Sequence, residues 1–397
     1  MPRATLEVAD IFRQYGERYR AANPLPLGQL RVMRAIEVCR TAVLGGHLEQ
    51  CGHCDYTRNA CNSCRNRHCP KCQSMARAKW LESRQAELLP VEYFHVVFTL
   101  PEQIAEIAFY NKQTVYGILF RAAAQTLLTI ARDEKHLGAN IGFFGVLHTW
   151  GQNLLHHPHV HFVVPAGGLS ADHQRWISCR PGFFLQVKVL SRLFRRFFLE
   201  ALREAFQQSK LQFFGPVEPL RDAIAFAGCL ASHAAREWVV YAKPPFGGPR
   251  QALQYLGRYT HRVAISNQRL VSLQDGKVLF HWKDYRDKDQ QNSRVMTLAA
   301  QEFIRRYLLH TLPAGFQRIR HFGFLANRHR KQNLVLCRQL LLVPVAELLP
   351  QLAARGEILR TLAAKQLPPC PKCGIGKMIR VAILPFYRWP ARPPDSS

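Results

Sequence analysis

Two short stretches hold the residues best suited to chemistry. In His157-Pro158-His159-Val160-His161, His159 and His161 flank one apolar residue, and Phe162-Val163-Val164 continues as a buried strand. Side chains two apart on a strand share a face, so both imidazoles can hold one metal ion. Further along, in Tyr255-Leu256-Gly257-Arg258-Tyr259, two tyrosines sit four apart in a segment of helical character. That spacing stacks both hydroxyls on one helix face. A metal site with paired tyrosines points to phosphodiester chemistry, in which the metal polarises the phosphate and a tyrosine attacks it. A free tyrosine titrates near pH 10. A neighbouring metal, Arg258, Arg262 or His261 would favour its phenolate or stabilise charge in the transition state.

Two histidines seldom suffice for a catalytic metal, so a third protein ligand is expected. Gln152, in the turn before the histidine strand, is the first candidate. His157, on the same strand face as His159, is the alternative, and His148 and His261 are further candidates.

A second constellation lies upstream. The chain has 12 cysteines, 7 of them between Cys39 and Cys72. In a reducing compartment such clustering argues for metal ligands over disulfides. Cys51-x2-Cys54 and Cys69-x2-Cys72 are separated by 14 residues, a strong zinc pattern because each pair supplies two thiolates from one tight knuckle. The expected grouping is Cys51, Cys54, Cys69 and Cys72 on one zinc, with Cys39, His47, Cys64 and His68 on another. Cys370-x2-Cys373 is half a knuckle without a second pair nearby. Cys179, Cys229 and Cys337 read as small buried hydrophobes.

The 54 Lys and Arg against 27 Asp and Glu leave a net charge of +27, which calls for a polyanionic partner, nucleic acid first and an anionic membrane surface second. With 48% hydrophobic residues, the chain can build a substantial core. No uncharged apolar run approaches the roughly 20 residues that span a bilayer, and Met1-Pro2-Arg3-Ala4 does not open a secretory signal. The expectation is a cytoplasmic protein with no membrane partner.

Four regions follow along the chain: a helical lead-in over 1–35, a zinc-binding domain over 36–80, a mixed α+β domain over 88–335, and a helical and basic tail over 336–397. Residues 36–75 carry few large aliphatics after Leu48 and need a metal to order them. In the third region, strands at 93–100, 142–150, around His159 and at 238–241 alternate with helices at 102–134, 186–208, 219–233 and 297–310. That alternation reads as α+β. Asp275-Gly276 marks a hairpin. Arg318, Arg320, Arg328, Arg330 and Lys331, spaced among Phe316, Phe322 and Phe324, read as a DNA-tracking surface with stacking aromatics.

Taken together, Ser63-Cys64-Arg65-Asn66-Arg67-His68-Cys69-Pro70-Lys71-Cys72, Trp150-Gly151-Gln152 with the histidine stretch, and Tyr255 to Asn267 resemble the two-tyrosine HUH rolling-circle transposases of the insertion sequence 91 family. The resemblance spans roughly residues 30–335, with three separated motifs in order. It implies a replication-initiator-like nuclease fold, whose central antiparallel sheet carries the histidine pair with the tyrosine helix across it, preceded by a small zinc domain. It implies Mg²⁺ or Mn²⁺ on His159, His161 and Gln152, and one or two Zn²⁺ in the N-terminal domain. Tyr255 or Tyr259 would attack single-stranded DNA at an element end, leaving a 5′-phosphotyrosine and a 3′-hydroxyl, and the second tyrosine would act on the other end or on target DNA. Arg258, Arg262, Arg318, Arg320, Arg328 and Arg330 would contact DNA, in a bacterial, nucleoid-associated setting. A plasmid-type replication initiator, a non-catalytic zinc-containing DNA-binding regulator and a water-using hydrolase are the competing readings.

Overall fold

The computed structural model describes residues 6–85, 87–182, 184–243, 251, 263–283, 293–342 and 367–386. Amphipathic helices α1 (Val8–Ala22) and α2 (Leu27–Glu37) precede a hairpin of β1 (Gly46–Cys51) and β2 (Thr57–Cys61), followed by helix α3 (Pro70–Gln85). Strand β3 (Tyr93–Thr99) leads into α4 (Glu102–Tyr110) and α5 (Lys112–Arg132). The sequence reads 102–134 as one helix. It breaks at Asn111, whose side-chain amide donates to the carbonyls of Ile107 and Gln212 and whose Oδ1 accepts from Gln212 N. A short polar side chain that bonds nearby backbone in this way competes with helix continuation.

Strands β4 (Gly142–Trp150) and β5 (His156–Pro165) come next, then a short pair, β6 (Gly167–Leu169) with β7 (Trp176–Ser178). Helices α6 (Val187–Gln207) and α7 (Ala223–Ala234) lead to β8 (Val240–Lys243). A three-stranded meander follows, of β9 (Leu270–Gln274), β10 (Lys277–Lys283) and β11 (Ser293–Ala299). Its first turn is the expected Asp275-Gly276 pair, with φ of 49° and 72°, the left-handed geometry of a two-residue hairpin loop. Helix α8 (Ala300–Leu309), strand β12 (Ile319–Gly323), helix α9 (Arg330–Leu340) and strand β13 (Met378–Leu384) complete the described chain.

The central sheet has the order β12-β4-β5-β3-β8, with every neighbouring pair antiparallel. The fold is therefore α+β, as the sequence implied. Alternation assigns its two faces. Phe94, Val96, Phe98, Phe143, Leu147, Val160, Phe162 and Val164 point into the core shared with α4, α5 and α6. Phe162 touches the rings of Phe98, Phe143 and Phe322, and burying one such side chain is worth about 1.5–3 kcal/mol. Helix α5 meets the length and hydropathy of a membrane span, yet 72% of its most apolar window is buried, and it packs against this sheet and α6.

The opposite face carries His95, His148, His159 and His161 beside a smaller apolar patch of Tyr93, Phe144, Val146 and Val163, covered in part by Trp80 of α3. Helices α1 and α2 pack with α8 and the β9–β11 meander into a second core, in which the Phe12 ring meets Tyr307 edge-on at 5.3 Å. Strand β13 joins β1 antiparallel, giving a third sheet of order β13-β1-β2. Residues 378–384, beyond 336 in the chain, are thus part of the N-terminal sheet.

Candidate metal centres and nuclease site

Three imidazoles converge on the face of the central sheet away from α4, α5 and α6. His159 and His161 lie two apart on β5, and His148 on β4 stands directly opposite His159 in the ladder. Residues directly opposite in an antiparallel pair share a face and approach closely. One ligand nitrogen from each of His148, His159 and His161 falls within 4.8 Å of the other two.

Hydrogen bonds set which nitrogens are offered. His159 Nδ1 lies 2.6 Å from the carbonyl of His157. A carbonyl only accepts, so Nδ1 carries the proton and Nε2 presents its lone pair. His161 Nδ1 is 2.8 Å from Nε2 of His95 on β3, with the rings stacked at 5°. Such a partner would orient the His161 ring as a metal ligand. Burial drives His95 down to about 3, so it stays neutral. The Trp150 ring stacks on His148 at 4.7 Å.

The other sequence candidates fall differently. His157 is exposed and outside the three-imidazole group. Gln152 lies in the β4–β5 turn, where its main-chain carbonyl accepts from Arg269. His156 faces the helical layer and pairs with the Tyr116 hydroxyl at 2.7 Å. Tyr255, Tyr259, Arg258, Arg262 and His261 lie outside the described residues.

The cysteines group in a way the sequence did not give. Cys39, Cys64, Cys69 and Cys72 form one set and Cys51, Cys54, Cys370 and Cys373 another. The expected union of Cys51 and Cys54 with Cys69 and Cys72 does not occur, because the β1–β2 hairpin carries the first knuckle away from the start of α3, which holds the second. In the first set, Cys39–Cys72, Cys64–Cys72 and Cys39–Cys69 sulfurs are 3.6 to 3.7 Å apart. A tetrahedron with zinc–sulfur bonds of about 2.3 Å has edges of roughly 3.8 Å. Contacts with Cys64 and Cys69 push the Cys39 thiol down, while Cys64 is pushed up by Cys39. Four thiolates this close need a cation before all can ionise.

Neither expected histidine joins these sets. His47 Nε2 contacts Glu49 at 2.9 Å, and Glu49 in turn pairs with Arg58. His68 is held neutral by burial, its pKa down to about 3, and its Nε2 accepts from Leu312 N. Its carbonyl accepts from the Tyr307 hydroxyl, and the adjacent Arg67 guanidinium donates to the carbonyls of Pro313 and Phe316, both at 2.6 Å. The first cysteine set is thereby bolted to the second core.

The basic stretch also reads differently in three dimensions. Phe316 and Phe324 are buried and Phe322 packs against the main core, so these rings are core and cannot stack on bases. Arg320 lies over Phe120 and Phe316, and Arg330 pairs with Glu87 at 3.6 Å. Desolvation pushes half-buried Arg318 down to about 10. Arg328 is exposed.

Family models bear on what these centres belong to. Residues 142–333 match the model described as "Putative transposase", and residues 11–100 match "Transposase zinc-binding domain". The transposase for insertion sequence element IS801 of Pseudomonas savastanoi is 31% identical over 296 residues, covering 73% of this chain and 68% of that protein. The chain belongs to the insertion sequence 91 family of transposases. A "Putative transposase y4qJ" of Sinorhizobium fredii is 59% identical over the whole of both chains. No solved structure matches this transposase. The matched ranges enclose the three imidazoles and the first cysteine set, and membership implies DNA as the substrate. A net charge of +27 suits that polyanion.

Proposed function

We propose that this transposase nicks and rejoins single-stranded DNA at element ends during rolling-circle transposition. His148, His159 and His161 hold one divalent ion, and Tyr255 or Tyr259 acts as the nucleophile. The observation that carries this reading is the convergence of three imidazoles on one sheet face, a donor set that leaves positions for substrate oxygens. An all-imidazole set suits Mn²⁺ better than Mg²⁺, which prefers oxygen ligands. When bound, the ion supplies Lewis-acid polarisation of the scissile phosphate.

His159 keeps its proton on Nδ1 against the His157 carbonyl, and His95 fixes the ring plane of His161, so the ligands need little reorganisation. The tyrosine oxygen attacks phosphorus, the phosphorus–O3′ bond breaks, and the 3′-hydroxyl leaves with a proton. The 5′-phosphotyrosine keeps the bond energy for rejoining, and the second tyrosine permits a second cleavage before the first link is resolved.

The test is a covalent-adduct assay with labelled single-stranded DNA from the flanks of the gene and Mn²⁺. A denaturing gel should show a protein–DNA adduct that is lost in Tyr255→Phe/Tyr259→Phe and in His159→Ala/His161→Ala. Cleavage without an adduct would instead indicate water as the nucleophile.

A further inference from the structure

We propose that Cys51, Cys54, Cys370 and Cys373 hold a zinc ion of their own, which clasps the C-terminal strand β13 onto the N-terminal sheet. Cys370 and Cys373 lie outside both family-matched ranges, and the sequence offers them no neighbouring pair. The fold supplies it. Cys51 Sγ is 3.7 Å from Cys373 Sγ, and Cys54 Sγ is 3.8 Å from Cys370 Sγ. These are the edges of a zinc–thiolate tetrahedron, far longer than a disulfide bond of about 2.05 Å.

Both halves have the backbone of a metal knuckle. His53 N and Cys54 N point at Cys51 Sγ at 3.3 and 3.4 Å. Lys372 N points at Cys370 Sγ and Gly376 N at Cys373 Sγ, each at 3.4 Å. Amides aimed at sulfur favour the thiolate over the thiol. The two knuckles also interlock, because a Cβ at Gly376 would run into Cys51 Sγ and His53 Cβ.

Little else holds this corner together. The local cluster comprises Cys51, Cys370 and Met378, with Cys54, Tyr56 and Cys373 against it, and contains no aliphatic residue. Along β13 only Met378 is buried, and Ile379, Val381 and Ile383 are 46%, 50% and 80% exposed. Apart from Met378, the strand buries little apolar surface, and it pairs with β1 through an antiparallel ladder. Without it, β1 and β2 are an isolated hairpin, which is marginal in water. A structural zinc contributes directly to folding in such a core-poor unit.

Elemental analysis of the full-length chain tests this. Cys370→Ser/Cys373→Ser and Cys51→Ser/Cys54→Ser should each carry one zinc fewer than wild type, and the fourfold variant should lose no more than either. An unchanged zinc content, or an additive loss in the fourfold variant, would overturn the shared site. Limited proteolysis should cut residues 367–386 in the Cys370→Ser/Cys373→Ser variant and spare them in wild type, and equal protection in both would overturn the clasp. Cadmium-substituted wild type provides a reading free of mutational damage. Two tetrathiolate cadmium resonances are expected, and a single one would count against the proposal.

Discussion

His148 faces His159 directly across the β4–β5 ladder, with the Trp150 ring stacked against its imidazole. The pairing fixes the third imidazole by main-chain hydrogen bonds on two central strands, not by a turn. Turn residues are the more mobile choice for a position that must hold a metal to within a few tenths of an ångström.

Metal affinity should therefore separate His148 from Gln152. His148→Ala is expected to weaken Mn²⁺ binding by at least the roughly 10–100-fold that loss of even an outer partner costs. Gln152→Ala should leave it nearly unchanged. Titration of Mn²⁺ into each variant decides the matter, and the reverse ranking would move the third ligand to the Gln152 amide.

The strand beneath the site should be intolerant of added volume. Gly145 sits beside Phe162 and Phe120, and a Cβ there would collide with the Phe162 ring. Gly145→Ala is expected to cost about 1–3 kcal/mol through overpacking, read as a lower urea midpoint at constant m-value. A neutral result would mean that the Phe162 ring can swing aside.

Acid should loosen the molecule through His310. This imidazole is buried between Thr149 Oγ1 at 3.2 Å and the Leu154 carbonyl at 3.1 Å, and burial pushes its pKa down to about 3. Unfolded, it would titrate near 6.5. Between those values the unfolded state binds the extra proton, so stability falls as pH drops from about 6.5 toward 3. The limiting slope is about 1.4 kcal/mol per pH unit for one group. His310→Gln keeps a donor and an acceptor without the titration, and should flatten the dependence of thermal midpoint on pH across that window. An unaltered slope would assign the acid sensitivity to other buried histidines, such as His68 and His156.

What could be read in the chain was what depends on near neighbours. The His159–His161 pair follows from the two-residue repeat of a strand, the Asp275-Gly276 hairpin from turn chemistry, and β3 from its aromatic and β-branched run. His148 is a further candidate for the third ligand in the sequence, but its place opposite His159 depends on register between two strands. Register is set by tertiary packing. The same holds for Cys51 and Cys373, 322 residues apart, and for His95, whose ring finds His161 through the β3–β5 pairing. Cysteine spacing identified zinc chemistry, yet could not choose partners, since any two knuckles satisfy the same pattern. The aromatics near Arg318 misled because alternation with arginine looks alike on a binding surface and on an edge strand over a core.

The Arg67 guanidinium, fastened to the carbonyls of Pro313 and Phe316, has a geometric consequence. A zinc module on a loose tether could sample many positions along a strand of DNA, but this one is anchored to the same body that carries the histidines. Under the proposed function, any nucleotide it touched would be held at one distance and one angle from the imidazoles. On that reading the protein is expected to act as a gauge, so that lengthening the DNA between the two points of contact moves the cut out of reach instead of being absorbed by the protein.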